Sequence, residues 1–422
     1  MKLFFAFLTL LFFIFTNIAA QQEDLLDLNI DSLFDEPLSE TPEKEEPEKK
    51  GTNTASVLDS VRRRGLTIDA SFEFQGGLAP GWDTRPWEFN GKEVYSHGLG
   101  VKMNSSMSLD AQMSEAFRAR TVVTFTIPGF SFELGDFFFD YNFFDRVFVR
   151  AGKYEHSWGI SPNYGFTNLL SRVPGEDLSG PSYIFKADVP IGIGGAQALF
   201  MTRVNMMGGV IPEHRKDFAF GGKYNLAFRW ADFDLGVLYQ DEMATRGFFS
   251  AKTTLWDIEF YNEWLVAVNT HTDNEASFAV NFGFGRQFFN EKLEVNGEFF
   301  YNGEGNAYFY RPETEIREAE TSPFIEGINL ALNLLYRFSG KADMRFFTQV
   351  LYAPMQNSLR LIPGFRLTPV SHIEVYAAVP MALGSKDGYY YNYTADVNNL
   401  NRPFSILLYV TLKGSVRAGY FY

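Results

Sequence analysis

The chain has 422 residues, 46% of them apolar and 17% aromatic, with 45 Phe and 21 Tyr, yet its mean hydropathy is only −0.14. It contains no cysteine, which excludes disulfides, thiolate metal sites, a cysteine nucleophile and a lipid-anchored N-terminal Cys. The net charge of −14 leaves no basic footprint for nucleic acid, and beyond the N-terminus no apolar run reaches the length of a membrane-spanning helix.

Met1 and Lys2 precede a largely apolar stretch from Leu3 to Phe15 and a small-residue exit at Ala19 and Ala20, so residues 1–20 read as a cleavable secretory signal. Residues 21–54 form an acidic, Pro-containing tail; eleven Asp and Glu stand against Lys44, Lys49 and Lys50, a composition that predicts a disordered segment on the periplasmic side. Residues 55–64 predict a short periplasmic helix capped near Asn53 or Thr54, carrying Arg62, Arg63 and Arg64.

Residues 65–422 alternate with a period of two. In the last strand Phe404, Ile406, Leu408, Val410 and Leu412 form one greasy face, while Ser405, Tyr409, Thr411 and Lys413 face the other way. Phe218 to Trp230 and Ile328 to Phe338 repeat the pattern on even positions, and Phe117 to Ile127 and Ile373 to Leu383 on odd ones. Eighteen candidate strands of roughly ten residues suit tilted membrane crossing; sixteen is the alternative if Gly247 to Val268 or Arg345 to Leu367 holds fewer crossings. Because only helices and closed barrels satisfy every backbone group in lipid, the fold class is all-β, a single antiparallel transmembrane barrel. Short and longer links alternate, with an inversion at Pro128-Gly129 and Asp140 to Asp145. An even strand count and both termini in the periplasm follow, placing the protein in the outer membrane of a diderm bacterium.

Charges on strands report the lumen, since Arg or Lys facing mid-membrane lipid costs roughly 2–4 kcal/mol. Arg118, Arg120, Arg146, Arg150, Lys186, Arg203, Lys223, Arg229, Arg337, Arg345, Arg360 and Arg366 are expected to line a basic wall, and Glu259, Glu263, Glu294 and Glu298 an acidic sector across from it. The tally runs slightly basic, which predicts a weak anion preference. Barrels of this size enclose an aqueous channel, and Gly159 to Pro181, with Pro162, Pro174, Gly175 and Gly180, is the candidate segment to fold inward and narrow it, the alternative being a loop that stays outside. Tyr154, Trp158, Tyr183, Tyr261, Tyr389, Tyr390 and Tyr391 are candidates either for stacking on sugars or for the interfacial aromatic girdles. His97, His156, His214, His271 and His372 are not placed against a nucleophile, so no catalytic residues, metal site or cofactor are expected.

The terminal Tyr420, Phe421 and Tyr422 resemble the aromatic end by which outer-membrane barrels engage their assembly machinery. The run Val149-Arg150-Ala151-Gly152-Lys153-Tyr154-Glu155-His156-Ser157-Trp158-Gly159, continued by Ser161, Pro162 and Asn163, resembles a recurring porin feature in which a strand ends Gly-Lys or Gly-Arg and is followed by Trp-Gly and a Pro-containing loop. Arg62 to Gly81 is faintly similar to the start of carbohydrate-selective porins. The resemblance implies a passive channel for small hydrophilic solutes, sugars or anions, embedded in outer-membrane lipid and open to trimer formation. The alternatives are a non-conducting adhesin or structural barrel and a hydrophobic-ligand transporter.

Overall fold

The computed structural model describes residues 65–89, 95–96, 99–128, 130–154, 156, 158–161, 163, 182–202, 215, 218–241, 244–268, 276–303, 327–338, 342–392 and 403–421. The signal 1–20, the tail 21–54, the segment 55–64, and Arg203, His97, His214, His271 and Tyr422 lie outside them. Eighteen antiparallel strands form one closed sheet. In chain order they are β1 (Gly65–Leu78), β2 (Leu99–Gln112), β3 (Phe117–Ile127), β4 (Ser131–Phe143), β5 (Val147–Tyr154), β6 (Ser182–Ile191), β7 (Gly194–Thr202), β8 (Phe218–Ala227) and β9 (Asp232–Gln240). There follow β10 (Thr245–Leu255), β11 (Ile258–Val268), β12 (Ala276–Phe288), β13 (Leu293–Asn302), β14 (Gly327–Phe338), β15 (Asp343–Ala353) and β16 (Ser358–Val370). The wall ends with β17, in two pieces (Ile373–Ala378 and Met381–Gly384), and β18 (Leu407–Phe421).

Each strand pairs with its sequence neighbours, and β1 pairs with β18 from Gly65↔Phe421 to Leu78↔Leu408. That closure removes both sheet edges, as a spanning sheet requires. Both stretches of uncertain crossing number, Gly247 to Val268 and Arg345 to Leu367, fall on two strands each. The links at one end are uniformly short, at 113–116, 144–146, 192–193, 228–231, 256–257, 289–292, 339–342 and 371–372. Trp256 and Asp257 make a two-residue turn with φ of 55° and 60°, the mirror-image turn whose twist suits a hairpin. Longer links, such as 79–98, 155–181 and 303–326, sit at the other end. The expected inversion reduces to one short link there, 128–130: Asp140 belongs to β4, where it pairs with Arg150, and the β4–β5 turn is 144–146 at the short-link end. Residues 241–244 and 354–357 are two further short links at the long-link end.

Alternation decides which face each residue takes. Phe72, Phe137, Phe220, Phe282, Phe346 and Val410 point outward and are exposed, forming the apolar belt that touches acyl chains. The opposite parity points inward: in β14 the odd positions Gly327 to Leu335 are all buried, and in β18 so are Leu407, Tyr409 and Thr411. The buried core is therefore inside the barrel.

Candidate channel and the segment that crosses it

After Tyr154 the chain turns into the barrel. Trp158, only 1% exposed, donates from its indole Nε1 to Gln197 Oε1 on β7 at 2.7 Å, and His156 Nε2 donates to the same oxygen at 3.1 Å. Gln197 is held in turn by donating from Nε2 to Asp188 Oδ1 at 2.8 Å. Further along, the Ile160 backbone N–H donates to Glu263 Oε1 at 2.7 Å. The Ser161 hydroxyl donates to Glu298 Oε2 at 2.8 Å, and Asn163 donates to Glu298 Oε1 from its backbone N at 2.9 Å and its Nδ2 at 2.8 Å. Asn333 and Gln349 then donate to Asn163 Oδ1 at 2.8 and 3.2 Å. A peptide segment inside a barrel must have its polar groups satisfied away from bulk water. Carboxylates suit that task, because each is an acceptor for several donors at once; Tyr261 and Asn281 also donate to Glu298, at 2.9 and 3.1 Å.

Between these anchors the segment covers an apolar cluster that includes Met201, Leu238, Phe248, Leu265 and Phe300. The Trp158 and Phe248 rings lie 5.4 Å apart. Glycine makes room for two of the lumenal rings: a methyl on Gly221 would stand 2.8 Å from Trp158 Cη2, and one on Gly283 would overlap the Tyr261 ring. The start of the expected narrowing segment, at 159–161 and 163, thus enters the barrel, and residues 164–181 lie outside the described set.

Toward the short-turn end, the inner wall carries a belt of charges paired between or along strands. Arg118 donates from Nε to Asp110 Oδ1 at 2.9 Å, Arg150 from Nε to Asp140 Oδ1 at 2.6 Å, and Arg337 from Nη2 to Glu294 Oε2 at 3.1 Å. Lys186 lies 3.0 Å from Asp188, Lys223 lies 3.2 Å from Asp234, and Lys252 lies 2.8 Å from Glu259. Arg366 and Lys413 share Glu374 at 3.5 and 3.3 Å, and Arg417 lies 3.3 Å from Asp69. Signs therefore alternate around the ring instead of separating into a basic wall and an acidic one. Missing from the expectation were Asp110, Asp140, Asp188 and Asp234. Each has the parity of the inward face of its strand, but only ladder register puts each beside its cation.

The expected residues within the described set fall into four groups, Arg203 lying outside it. Arg118, Arg120, Arg150, Lys186, Lys223, Arg337, Arg345, Arg360 and Arg366 are on the inward face of their strands, with Arg345 bonded to Asp343. Arg146 and Arg229 are corrected: both are exposed in short turns, 144–146 and 228–231, because β4 and β8 end before reaching them. Glu259 and Glu294 belong to the belt. Glu263 and Glu298, at 0% and 5% exposure, are covered by the crossing segment and hold it in place.

Tyr154, Trp158, Tyr261 and Tyr390 are buried, and Tyr183 has the outward parity of its strand neighbour Phe185. None of these five presents a free lumenal face. A different aromatic row, Phe347, Tyr376 and Tyr409, stacks along the inner wall at 5.4 and 6.1 Å, with Gly364 and Gly77 accommodating the end rings. It spans non-adjacent parts of the sequence, so periodicity alone carries no sign of it. At the long-link end, Arg85 donates to Gly384 O at 2.8 Å and lies over the Tyr391 ring at 4.7 Å. Burial there pushes the Glu88 carboxyl up, but the Arg85 N–H and guanidinium, with Lys386 and Tyr391, hold it below the usual carboxylate range.

No family model and no curated protein matches the sequence. In three dimensions the chain is similar to the solved structure of Pseudomonas aeruginosa OccK3 (OpdO), with a TM-score of 0.52 and 9% identity over 83% of this chain and 96% of that one. It is also similar to Pseudomonas aeruginosa OccK10 (OpdN), with a TM-score of 0.51 and 8% identity over 84% of this chain and 99% of that one. Acinetobacter baumannii OccAB3 gives 0.50 and 7% over 83% and 99%. At such identities the likeness establishes a shared barrel fold.

Proposed function

We propose that this protein is an outer-membrane channel through which small hydrophilic solutes, sugars or anions among them, diffuse passively. One asymmetry carries the reading. The crossing segment covers the inner wall of β9 to β15, where Leu238, Glu263, Asn281 and Asn333 are buried, whereas polar inward residues of β1 to β3, such as Ser71, Asn104, Ser106 and Thr124, remain exposed or half-exposed. A polar, uncovered wall beside a closed-off one suits a narrowed aqueous path. The fold shared with OccK3, OccK10 and OccAB3 supports the same reading.

The short-link end faces the periplasm in this reading, with the tail 21–54 on that side, and assembly uses Tyr420, Phe421 and Tyr422. A homo-trimer is compatible with it. The inward residues of the basic and acidic sets are proposed as pore-lining groups, except Glu263 and Glu298, which position the segment. Purified protein in a planar bilayer tests the reading: stepwise conductance of order a nanosiemens is expected. Silence in the bilayer, with no swelling of sugar-loaded liposomes, would instead favour a sealed surface barrel.

A further inference from the structure

Arg246 stands apart from the paired belt. It is the second residue of β10 and the ladder partner of Leu238 on β9 and Ala267 on β11, both of them buried on the inner wall. Ala244 and Phe248, two positions away on either side, are buried as well. Arg246 itself is 0% exposed, and none of its three guanidinium nitrogens meets a hydrogen-bond partner among the described residues. An arginine cannot escape this situation by losing its proton, and an uncompensated buried charge is strongly unfavourable. Elsewhere on the same wall Arg118, Arg150 and Arg337 each meet a carboxylate.

We infer that Arg246 holds a small inorganic anion, a halide, sealed inside the barrel wall and off the solute path. The chemistry of the site selects the ligand. Three orphaned donors on a fixed cation call for a compact acceptor of negative charge. Among the inward neighbours on β10 and β11, Ala244 and Ala267 are small and Phe248 and Leu265 are apolar, and the complete burial of the site favours a monatomic ion over an extended carboxylate solute. The bound ion would neutralise the guanidinium and hold β9, β10 and β11 together beneath the long-link end.

The test uses the full chain in detergent. Crystals grown in sodium bromide should show an anomalous peak within hydrogen-bond distance of the Arg246 guanidinium. The thermal midpoint of the wild type should be higher in sodium chloride than in sodium gluconate at equal ionic strength, and that difference should vanish in Arg246→Met. If Arg246→Met does not fold, the wild-type bromide map decides alone. Water in place of bromide, no peak at all, a peak that persists in Arg246→Met as an adventitious ion only, or equal midpoints in the two salts overturns the assignment. None of these readouts depends on conductance, so the anion site and the channel reading stand or fall separately.

Discussion

Glu298 on β13 accepts a hydrogen bond from the Ser161 hydroxyl at 2.8 Å, joining residues 137 positions apart. The same carboxylate also receives Asn163, Tyr261 and Asn281. One buried side chain thus ties the crossing segment to the wall. Glu298→Ala would strand several buried donors, each worth about 1–3 kcal/mol, and should release the segment. The expected outcome is earlier urea unfolding together with larger, noisier single-channel conductance. Wild-type conductance in a folded Glu298→Ala protein would show that the segment does not narrow the path.

Tyr261→Phe removes only one of those bonds and should cost about 1–2 kcal/mol. Its conductance should stay near the wild-type value, because the other donors to Glu298 remain.

Gly283→Val introduces branched carbon where the Tyr261 ring lies. Overpacking of this kind costs about 1–3 kcal/mol, and relief would push the ring toward the lumen. A lowered thermal midpoint is expected, and an unchanged one would contradict the packing described.

The pairing of charges argues that ion selectivity is weak and that the anion preference expected from the basic tally is largely cancelled. Asp140→Asn frees Arg150, which lies 4.3 Å over the Phe138 ring. Because the pair is about one-third exposed, the stability change should stay below about 1 kcal/mol. Reversal potentials in a salt gradient should move toward anions relative to wild type; a shift toward cations would count against the belt as part of the path.

His156 gives the inward segment a pH dependence. Burial, with Lys186 and Lys223 contributing, pushes its imidazole down to about 4, against the Gln197 hydrogen bond and Asp188, which act in the other direction. The unfolded value is about 6.5. Between the two, the unfolded chain binds a proton that the folded chain does not, so stability rises with pH across this window and is lost as pH falls toward 4. The effect is at most about 3 kcal/mol. Thermal midpoints at pH 7 and pH 5 should differ more for wild type than for His156→Asn, and equal differences would remove His156 from the account.

The period-two alternation was enough to specify the architecture, because a strand exposed to lipid on one face and to the lumen on the other must write that division at every second residue. Phe404 to Leu412 and Ile328 to Phe338 carry it plainly, and the favoured count of eighteen strands comes from such stretches. Parity alone also put Glu298 and Arg150 inside the barrel, while Asp140 fell in an expected link. It was silent on what each would meet, since neighbours in a ladder come from register and segment contacts cross the lumen. Only the closed barrel shows Arg150 beside Asp140, Glu298 beneath Ser161, and Arg146 and Arg229 out in turns, because distance across a lumen leaves no periodic trace along a chain.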